Sequence, residues 1–272
     1  MREEITVCTK KDGWAVISDR VCNIVLESGV KNGICNVFLP HSTASLVATS
    51  HWDERGIEDA MEQLKRAIPP RTNYTAQDSP FTSAARSRNA LTGSSLTFIV
   101  RDGQLLRGGS QAIILLEYDG PQERTVTVTV LEKDFHYAKL EFTTWQDAVI
   151  DLEERIAGAA AQTGIKEGLC HISNLSSTSA LALCSREAAR DIYDDLERLV
   201  PARGDFKHRE TASDAAGHIR SAIMGTQLHL PISDGKLVKA DDTGIYYMEF
   251  DGPRYRNVSL AFYAGEGGAK NE

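Results

Sequence analysis

The sequence has few cysteines, no long apolar run and no excess of basic residues. Its five cysteines are an odd number without a CxxC pair, which argues against a disulfide framework or a cysteine zinc site. No apolar stretch reaches membrane-spanning length, and the first residues lack the apolar core of a signal peptide. The net charge of −8 disfavours a nucleic-acid-binding surface. We therefore expect a cytoplasmic protein that binds neither membranes nor nucleic acids.

The sequence also lacks the short motifs that identify common catalytic sites. It contains no GxSxG elbow, Walker loop, GxGxxG fingerprint or DNA-binding motif. Its hydrophobic content of 42% and charged content of 25% are typical of a globular protein, and 272 residues fit two domains better than one. Function must therefore be sought in less common patterns.

Two stretches of the chain occur twice in the same order. Residues 33–46 match residues 168–181 at an offset of 135 residues. Residues 116–121, with the sequence Leu-Glu-Tyr-Asp-Gly-Pro, recur at 248–253 as Met-Glu-Phe-Asp-Gly-Pro, at an offset of 132. Two markers at nearly one offset indicate a duplicated domain of about 135 residues, and each copy is large enough for its own core.

The order of short apolar strands, turns and helices predicts the fold class. We expect an α+β protein made of two tandem copies of one domain, each with a mostly antiparallel β-sandwich core and flanking helices. Copy one should span residues 1–132 and copy two residues 133–265, followed by a frayed tail at 266–272. Residues 69–90 are predicted to form a loop, because Pro80 and many Ser, Thr and Asn residues lie there.

The first candidate for chemistry is His41. It follows a buried strand and precedes a strand rich in hydroxyl residues, so its side chain can face a cleft. Imidazole suits proton transfer or metal binding, and Ser42 and Thr43 suit anion binding. A loop histidine whose hydrogen bonds are satisfied is the alternative interpretation.

The second candidate group lies in the other copy. His208 and Glu210 share one face of an extended segment, and His218 lies near the start of a helix. Two histidines and a carboxylate suit a zinc-type site, although their spacing is not a recognised closed motif and structural histidines are the alternative. Arg254 and Arg256 suit a phosphate clamp or, alternatively, a solvated hairpin end.

At these residues the chain resembles the YjbQ-like family, also described as secondary thiamine-phosphate synthases. Residues 41–46 are similar to the family pattern H-T-T-A-G-L, residues 208–210 to H-x-E, and residues 218–220 to H-I-K. Residues 251–256 are similar to D-G-P-R-x-R. The resemblance covers nearly the whole chain as two copies, and the ordered set of motifs is more specific than any one of them.

Neither copy carries the full family pattern. Copy one has no histidine at residues 76–86, and copy two has Ser176 where His41 would be. Each copy therefore lacks what the other retained. One hypothesis is a hybrid site in which His41 meets His208 and His218, within the chain or across subunits, and independent decay of two sites is the alternative.

The resemblance implies a small-molecule enzyme that binds a divalent metal, with zinc as the first expectation, and a phosphorylated or other anionic ligand. The family's activity would join a pyrimidine pyrophosphate to a thiazole phosphate. A non-catalytic binding or assembly protein with a degenerate site is the alternative. The residues assigned are His41, His208 and His218 for the metal, Glu210 for catalysis, and Ser42, Thr43, Arg254 and Arg256 for ligand binding.

The resemblance also bears on assembly. The resemblance implies that single-domain members of the family form trimers. The tandem chain is therefore expected to retain surfaces that pair one domain with another. We expect a homo-oligomer, with a threefold assembly of tandem chains as the first expectation.

Overall fold

A computed structural model describes residues 1–211 and 213–265 of the chain. The frayed tail predicted at 266–272 lies outside the described residues. The elements of copy one recur in the same order in copy two, which confirms the duplication predicted from the repeated stretches.

Copy one contains strands and helices in alternating groups. Its strands are β1 Arg2–Cys8, β2 Trp14–Val16, β3 Gly33–Phe38, β4 Ala44–Ser50, β5 Ser95–Arg101, β6 Gln104–Leu105, β7 Gln111–Glu117 and β8 Glu123–Glu132. Its helices are α1 Ser18–Ser28, α2 Glu54–Ala67 and α3 Pro80–Thr92.

Copy two repeats each of these elements. Its strands are β9 His136–Thr143, β10 Val149–Asp151, β11 Gly168–Asn174, β12 Ser179–Ser185, β13 Gln227–Ser233, β14 Lys236–Leu237, β15 Thr243–Glu249 and β16 Tyr255–Ala264. Its helices are α4 Glu153–Thr163, α5 Ala189–Leu199 and α6 Asp214–Met224.

Each copy packs a five-stranded sheet against a three-stranded sheet. The strand order is β1-β8-β3-β5-β6 with β2-β7-β4 in copy one, and β14-β13-β11-β16-β9 with β10-β15-β12 in copy two. All strand pairs are antiparallel. The predicted α+β class with an antiparallel sandwich core is therefore confirmed.

The alternation of residues along the strands forms the core of each copy. In β8, Val126, Val128 and Val130 point inward and are buried, while the threonines between them are more exposed. A strand with one buried face alternates in this way because successive side chains point to opposite faces. Each fully buried valine stabilises the fold by roughly 1.5–3 kcal/mol.

The predicted loop at residues 69–90 is wrong in its second half, where α3 forms. Ser79 accepts a hydrogen bond from the Thr82 backbone N–H, so it caps the helix, and Pro80 occupies the first helical position. Proline is tolerated there because the N–H that it lacks would have no partner inside the helix. The Ser-Pro pair is therefore a helix start, whereas we interpreted it as a loop signal.

Helix α6 of copy two lies between the copies. It packs on β12 of its own copy and on α2 and β4 of copy one. Ala60 of α2 joins an apolar cluster with Val200, Phe206, Ala216 and Ile219 of copy two. This packing fixes the loop before α6 against copy one.

The outer faces of the two five-stranded sheets form a second contact between the copies. Ile99 of β5 packs against Ala261 and Tyr263 of β16, and the Thr97 N–H donates to the side-chain oxygen of Gln227. The two domains thus touch through a helix layer and a sheet layer. None of the described helices combines the length and the apolar composition needed to cross a membrane.

Candidate functional site

A cavity of about 230 Å³ lies where α6 and its preceding loop meet copy one. Copy one contributes Ser50, Trp52 and Ser110 to its lining. Copy two contributes Leu175, Ser176, Ser177, Thr178, His208, Glu210, Thr211, Asp214, His218, Asp251, Arg254 and Arg256. The candidate residues of copy two therefore converge on one cavity, and the other copy completes its wall.

Two carboxylates of copy one hold His208 in place. The Nδ1 atom of His208 lies 2.7 Å from Asp53 Oδ2, and the side chain of Asp53 also caps α2. Asp59 accepts hydrogen bonds from the backbone N–H groups of Lys207 and His208, at 3.0 and 2.8 Å. Arg55 and then His208 lower the pKa of Asp53, so it stays ionised as the hydrogen-bond acceptor of the imidazole.

The other ring nitrogen of His208 faces a group of carboxylates. Its Nε2 lies 3.1 Å from Asp214 Oδ2, and one ligand atom each of His208, Glu210 and Asp214 lie within 4.8 Å of one another. The backbone N–H of Glu210 donates to the same Asp214 oxygen at 2.7 Å, which fixes this carboxylate. Two ligand atoms bound to one tetrahedral zinc lie about 3.3 Å apart, so the pair His208–Asp214 already has a suitable separation.

His218 completes the group from α6. Its Nδ1 lies 2.9 Å from the carbonyl oxygen of Ser177, to which it can donate only if the proton resides on Nδ1. The Nε2 lone pair then remains available as a base or a metal ligand. The ring centroids of His208 and His218 lie 5.6 Å apart, and burial lowers the pKa of His218, which favours the neutral ring.

Asp251 anchors the loop that carries His208 and Glu210. It accepts hydrogen bonds from Thr211 at 2.6 Å and Ser213 at 2.8 Å, and it pairs with Arg254 at 2.8 Å. Burial opposes its ionisation, but these hydrogen bonds outweigh burial and lower its pKa. The loop is therefore tied to the turn after β15.

The two arginines predicted to bind ligand both line the cavity, but each is already paired. Arg256 forms a two-pronged pair with the buried Glu249, at 2.6 Å for each contact, and also donates to Thr178. Its side chain is only 12% exposed, whereas that of Arg254 is 46% exposed. Arg254 is therefore the more accessible of the two to a ligand.

The structure places His41, Ser42 and Thr43 in the matching region of copy one, away from this cavity. His41 accepts a hydrogen bond from the Thr125 N–H at 3.3 Å, and Thr43 accepts one from Arg124 at 2.8 Å. Ser42 is exposed. One chain therefore brings His208 and His218 together without His41, because His41 occupies the position in copy one that Ser176 occupies in copy two. The form of the hybrid site across subunits stays a prediction.

Sequence reasoning missed the aspartates. We assigned no role in the site to Asp53, Asp59, Asp214 or Asp251. The spacing of Asp214 four residues after Glu210 was the only local signal, since the other contacts join residues far apart in the chain.

The residues present fit a divalent cation. Arg254 and Arg256 are each neutralised by a carboxylate, and Arg55 neutralises Asp53, which leaves Glu210 and Asp214 beside His208 without an arginine or lysine partner among the described residues. Nitrogen and carboxylate donors together suit zinc and other first-row metals. A carboxylate behind a ligating histidine, as Asp53 stands behind His208, orients the ring.

Comparison with known proteins identifies the domain that is duplicated. The profile of the family described as UPF0047 protein YjbQ-like matches residues 3–133 and again residues 138–265. The UPF0047 protein of Methanocaldococcus jannaschii is 31% identical over 122 residues, which cover 45% of this chain and 87% of the relative. The UPF0047 protein YugU of Bacillus subtilis is 29% identical over 121 residues, which cover 43% and 91%.

Solved structures match over one domain at a time. A YbjQ-like protein of unknown function from Sulfolobus solfataricus is 35% identical and covers 49% of this chain and 97% of its own, with a TM-score of 0.47. A YjbQ/UPF0047 protein from Clostridium acetobutylicum is 32% identical and covers 47% and 99%, with a TM-score of 0.45. With two profile matches that together span nearly all of its length, the chain belongs to the YjbQ-like UPF0047 family and contains two copies of the family domain.

Proposed function

We propose that this chain is a metal-dependent enzyme that acts on a phosphorylated or other anionic small molecule in the cavity between its two copies. The observation that carries the proposal is the placement of His208, with Asp53 behind Nδ1 and Asp214 facing Nε2. A histidine that ligates a metal commonly donates its other ring N–H to a carboxylate, as His208 Nδ1 can to Asp53.

Within this proposal, His208, Asp214 and His218 are the residues that hold the cation, with zinc as the first expectation, and three ligands leave a position open for the substrate. Bound there, the cation would polarise an oxygen of the substrate. A metal that bonded both histidines would separate their ring centroids by roughly 5 Å, close to the 5.6 Å between these rings. Glu210 is more exposed than these three residues and is the candidate to accept a proton from a reacting group.

The anionic part of the substrate has two places to bind. Arg254 borders the first cavity. A second cavity of about 390 Å³ shares His208, Thr211 and Asp214 with the first and adds Arg203, which pairs with no acidic group among residues 1–211 and 213–265. A ligand that contacts the cation can therefore extend toward an arginine on either side.

The narrower activity that the resemblance implies joins a pyrimidine pyrophosphate to a thiazole phosphate. Ser176 stands where the family pattern has its first histidine, and Arg256 is engaged by Glu249. This site therefore supports the broader proposal of metal-assisted chemistry on an anionic substrate. The same two observations favour the second candidate, a binding protein that retains the cavity without turnover.

Zinc titration tests the proposal. The chain, stripped of metal by a chelator, should bind about one Zn²⁺, and His208→Ala and His218→Ala should each weaken binding at least about tenfold, since each removes a ligand. His136→Ala, which alters an exposed histidine of β9, is the matched control. Circular dichroism verifies that each variant is folded. Equal zinc affinity in all four proteins would contradict the proposed metal site.

His41→Ala asks a separate question about assembly. Unchanged zinc affinity would agree with the position of His41 in copy one, whereas a loss that depends on protein concentration would favour the form of the hybrid site across subunits. The expected homo-oligomer, with a threefold assembly first, remains a prediction that light scattering checks. A turnover assay distinguishes the proposed enzyme from the alternative binding protein. Only the enzyme should turn over a phosphate ester when the chain is loaded with zinc.

A further inference from the structure

A cavity of about 390 Å³ lies within copy one and shares no lining residue with the two cavities around His208. Three cationic side chains and two carboxylates line it, namely Lys11, Lys65 and Arg88 with Asp12 and Asp119. Because the cations outnumber the carboxylates by one, the cavity has a net positive charge and favours an anion.

Arg88 of α3 is the least solvated of these cations. The residue is only 3% exposed, and its Nε and Nη2 atoms both donate to the carbonyl oxygen of Ile68, at 3.2 and 2.9 Å. It forms no ion pair with a carboxylate in the part of the chain that the structure describes, and burial lowers its pKa. A buried charge is costly unless an opposite charge contacts it, so the guanidinium lacks a partner.

Copy two shows what that partner is. Arg220 of α6 makes the same contact with the carbonyl oxygen of Val200, at 2.9 and 2.7 Å, and it also pairs with the carboxylate of Glu197. Glu197 stands three residues before Val200, and the residue three positions before Ile68 is Lys65. Copy one therefore retains the arginine and its carbonyl contact but carries a lysine in place of the carboxylate.

We propose that the cavity of copy one binds a small-molecule carboxylate, which pairs with Arg88 as Glu197 pairs with Arg220. The planar guanidinium matches a carboxylate in shape and offers it more than one hydrogen bond. This site is separate from the cavity between the copies, and it does not depend on the proposed function.

The rest of the ligand is apolar in this proposal. Phe81 borders the cavity and is 62% exposed, so its ring can be covered by an apolar group. Lys11 Nζ lies 5.8 Å from the centre of the same ring. The wall therefore combines an apolar surface with a second cation, which suits an acid with a short hydrocarbon chain.

Hexanoate and hexanamide test the proposal, because they share a shape and differ in charge. Their dissociation constants are measured on the metal-free chain from the shifts of backbone amide resonances during a titration. Hexanoate should bind at least about tenfold more tightly than hexanamide, since a hydrogen bond to a charged group is worth more than one to a neutral group.

Two substitutions of Lys65 form a matched pair. Lys65→Glu supplies the carboxylate that copy two has in Glu197, so it should weaken hexanoate binding at least about tenfold. Lys65→Ala removes the same exposed lysine without adding a carboxylate, so its affinity for hexanoate should stay within about threefold of the wild type. Circular dichroism verifies that both variants are folded.

Two further variants identify the group that binds the acid. Arg88→Gln keeps a donor for the Ile68 carbonyl but removes the charge, so it should bind hexanoate and hexanamide equally. His208→Ala, which alters the cavity between the copies, should bind hexanoate as the wild type does. Equal binding of the two compounds to the wild type, or hexanoate binding that survives in Lys65→Glu, would overturn the inference. A loss of hexanoate binding in His208→Ala would also overturn it, because the acid would then occupy the other cavity.

Discussion

The two copies share one buried polar cluster and differ in the residues around it. In copy one, Arg124 contacts Glu117 at 2.7 and 2.6 Å and Thr43 at 2.8 Å. In copy two, Arg256 contacts Glu249 at 2.6 Å twice and Thr178 at 2.9 Å. Because the cluster is the same beside His208 and His218 and in the copy that lacks counterparts of these two histidines, we infer that it maintains the fold at the end of each sandwich. Chemistry should be sought where the copies differ.

The helices α2 and α5 show the clearest difference. Ala60 of α2 is buried against copy two, whereas the corresponding residue of α5 is Asp195, which pairs with Arg198 and is largely exposed. The same helix has thus become an apolar contact surface in one copy and a solvated surface in the other. The contact that builds the site uses the face of α2, and α5 no longer offers a similar face.

The largest effect is expected when the apolar face of α2 receives the charged residue that the solvated face of α5 carries. Ala60→Asp would bury a carboxylate among Val200, Phe206 and Ile219, which should lower the free energy of unfolding by about 3 kcal/mol or more. Urea denaturation measures the loss. Asp195→Ala on α5 should change stability by only about 0.5 kcal/mol, since its carboxylate is solvated. Similar losses of stability in the two variants would contradict the difference that we assign to α2 and α5.

The second-largest effect is expected at Asp53, the carboxylate that copy one contributes to the site. Asp53→Asn removes the charged acceptor of His208 Nδ1, so zinc affinity should fall by about 10- to 100-fold, as is usual for a residue that orients a metal ligand. Titration with zinc at constant pH gives the ratio. Asp119→Asn in copy one, which corresponds to Asp251, should leave zinc affinity unchanged. A zinc affinity of Asp53→Asn equal to that of the wild type would contradict a contribution of copy one to the metal site.

A pH effect of intermediate size is expected at the sheet contact. His171 of β11 is buried against His229, its ring nitrogens have no partner among the described residues, and burial lowers its pKa to about 3. The unfolded chain therefore takes up the proton at its usual pKa near 6.5, so the folded state loses stability as the pH falls from 6.5 toward 3. His171→Leu removes this loss, so the difference in the free energy of unfolding between the variant and the wild type should shift in favour of the variant by about 2–3 kcal/mol from pH 7 to pH 4.5.

Urea midpoints at the two pH values give this difference. Copy one carries Asn36 at the position of His171, so the pH dependence should arise in copy two. His136→Leu, at an exposed position of β9, should not reduce the loss at acid pH. A parallel pH dependence in His171→Leu and wild type would show that His171 is not the source.

The smallest effect is expected at the exposed ion pairs between the copies. Lys207 contacts Glu58 and Glu62 of α2 at 3.1 Å each, and all three side chains are about half exposed. Lys207→Ala should cost less than about 1 kcal/mol, because water and salt screen such pairs. Lys139→Ala, which breaks a pair within copy two, should cost a similar amount. A loss of several kcal/mol in Lys207→Ala would mean that this pair is a principal contact.

The sequence predicted much of the fold because the fold depends on local patterns and on repetition. Alternating valines and short turns indicated the antiparallel strands, and the repeated stretches indicated two like domains. The helix at residues 80–92 was missed because its start, Ser79-Pro80, has the same composition as a turn. A side-chain cap distinguishes a helix start from a turn, and composition does not reveal whether that cap forms.

The site could be predicted only in part, because the contacts that hold His208 in place cross between the copies. The pattern around His208, Glu210 and His218 marked the residues of copy two. Asp53 lies 155 positions before His208, and no local spacing connects the two. Nothing in the sequence could tell that His41 stays with Thr125 of its own copy, since that depends on which faces the domains present to each other.

The short connection between the domains sets the conditions under which the site exists. β8 ends at Glu132 and β9 begins at His136, so three residues tether copy two to copy one. A short tether holds two surfaces at an effective concentration in the millimolar range. The encounter of His208 with Asp53 is therefore unimolecular, and diluting the protein does not separate them. A contact shared by two separate chains would weaken at low abundance, whereas the contact of His208 with Asp53 forms within every molecule.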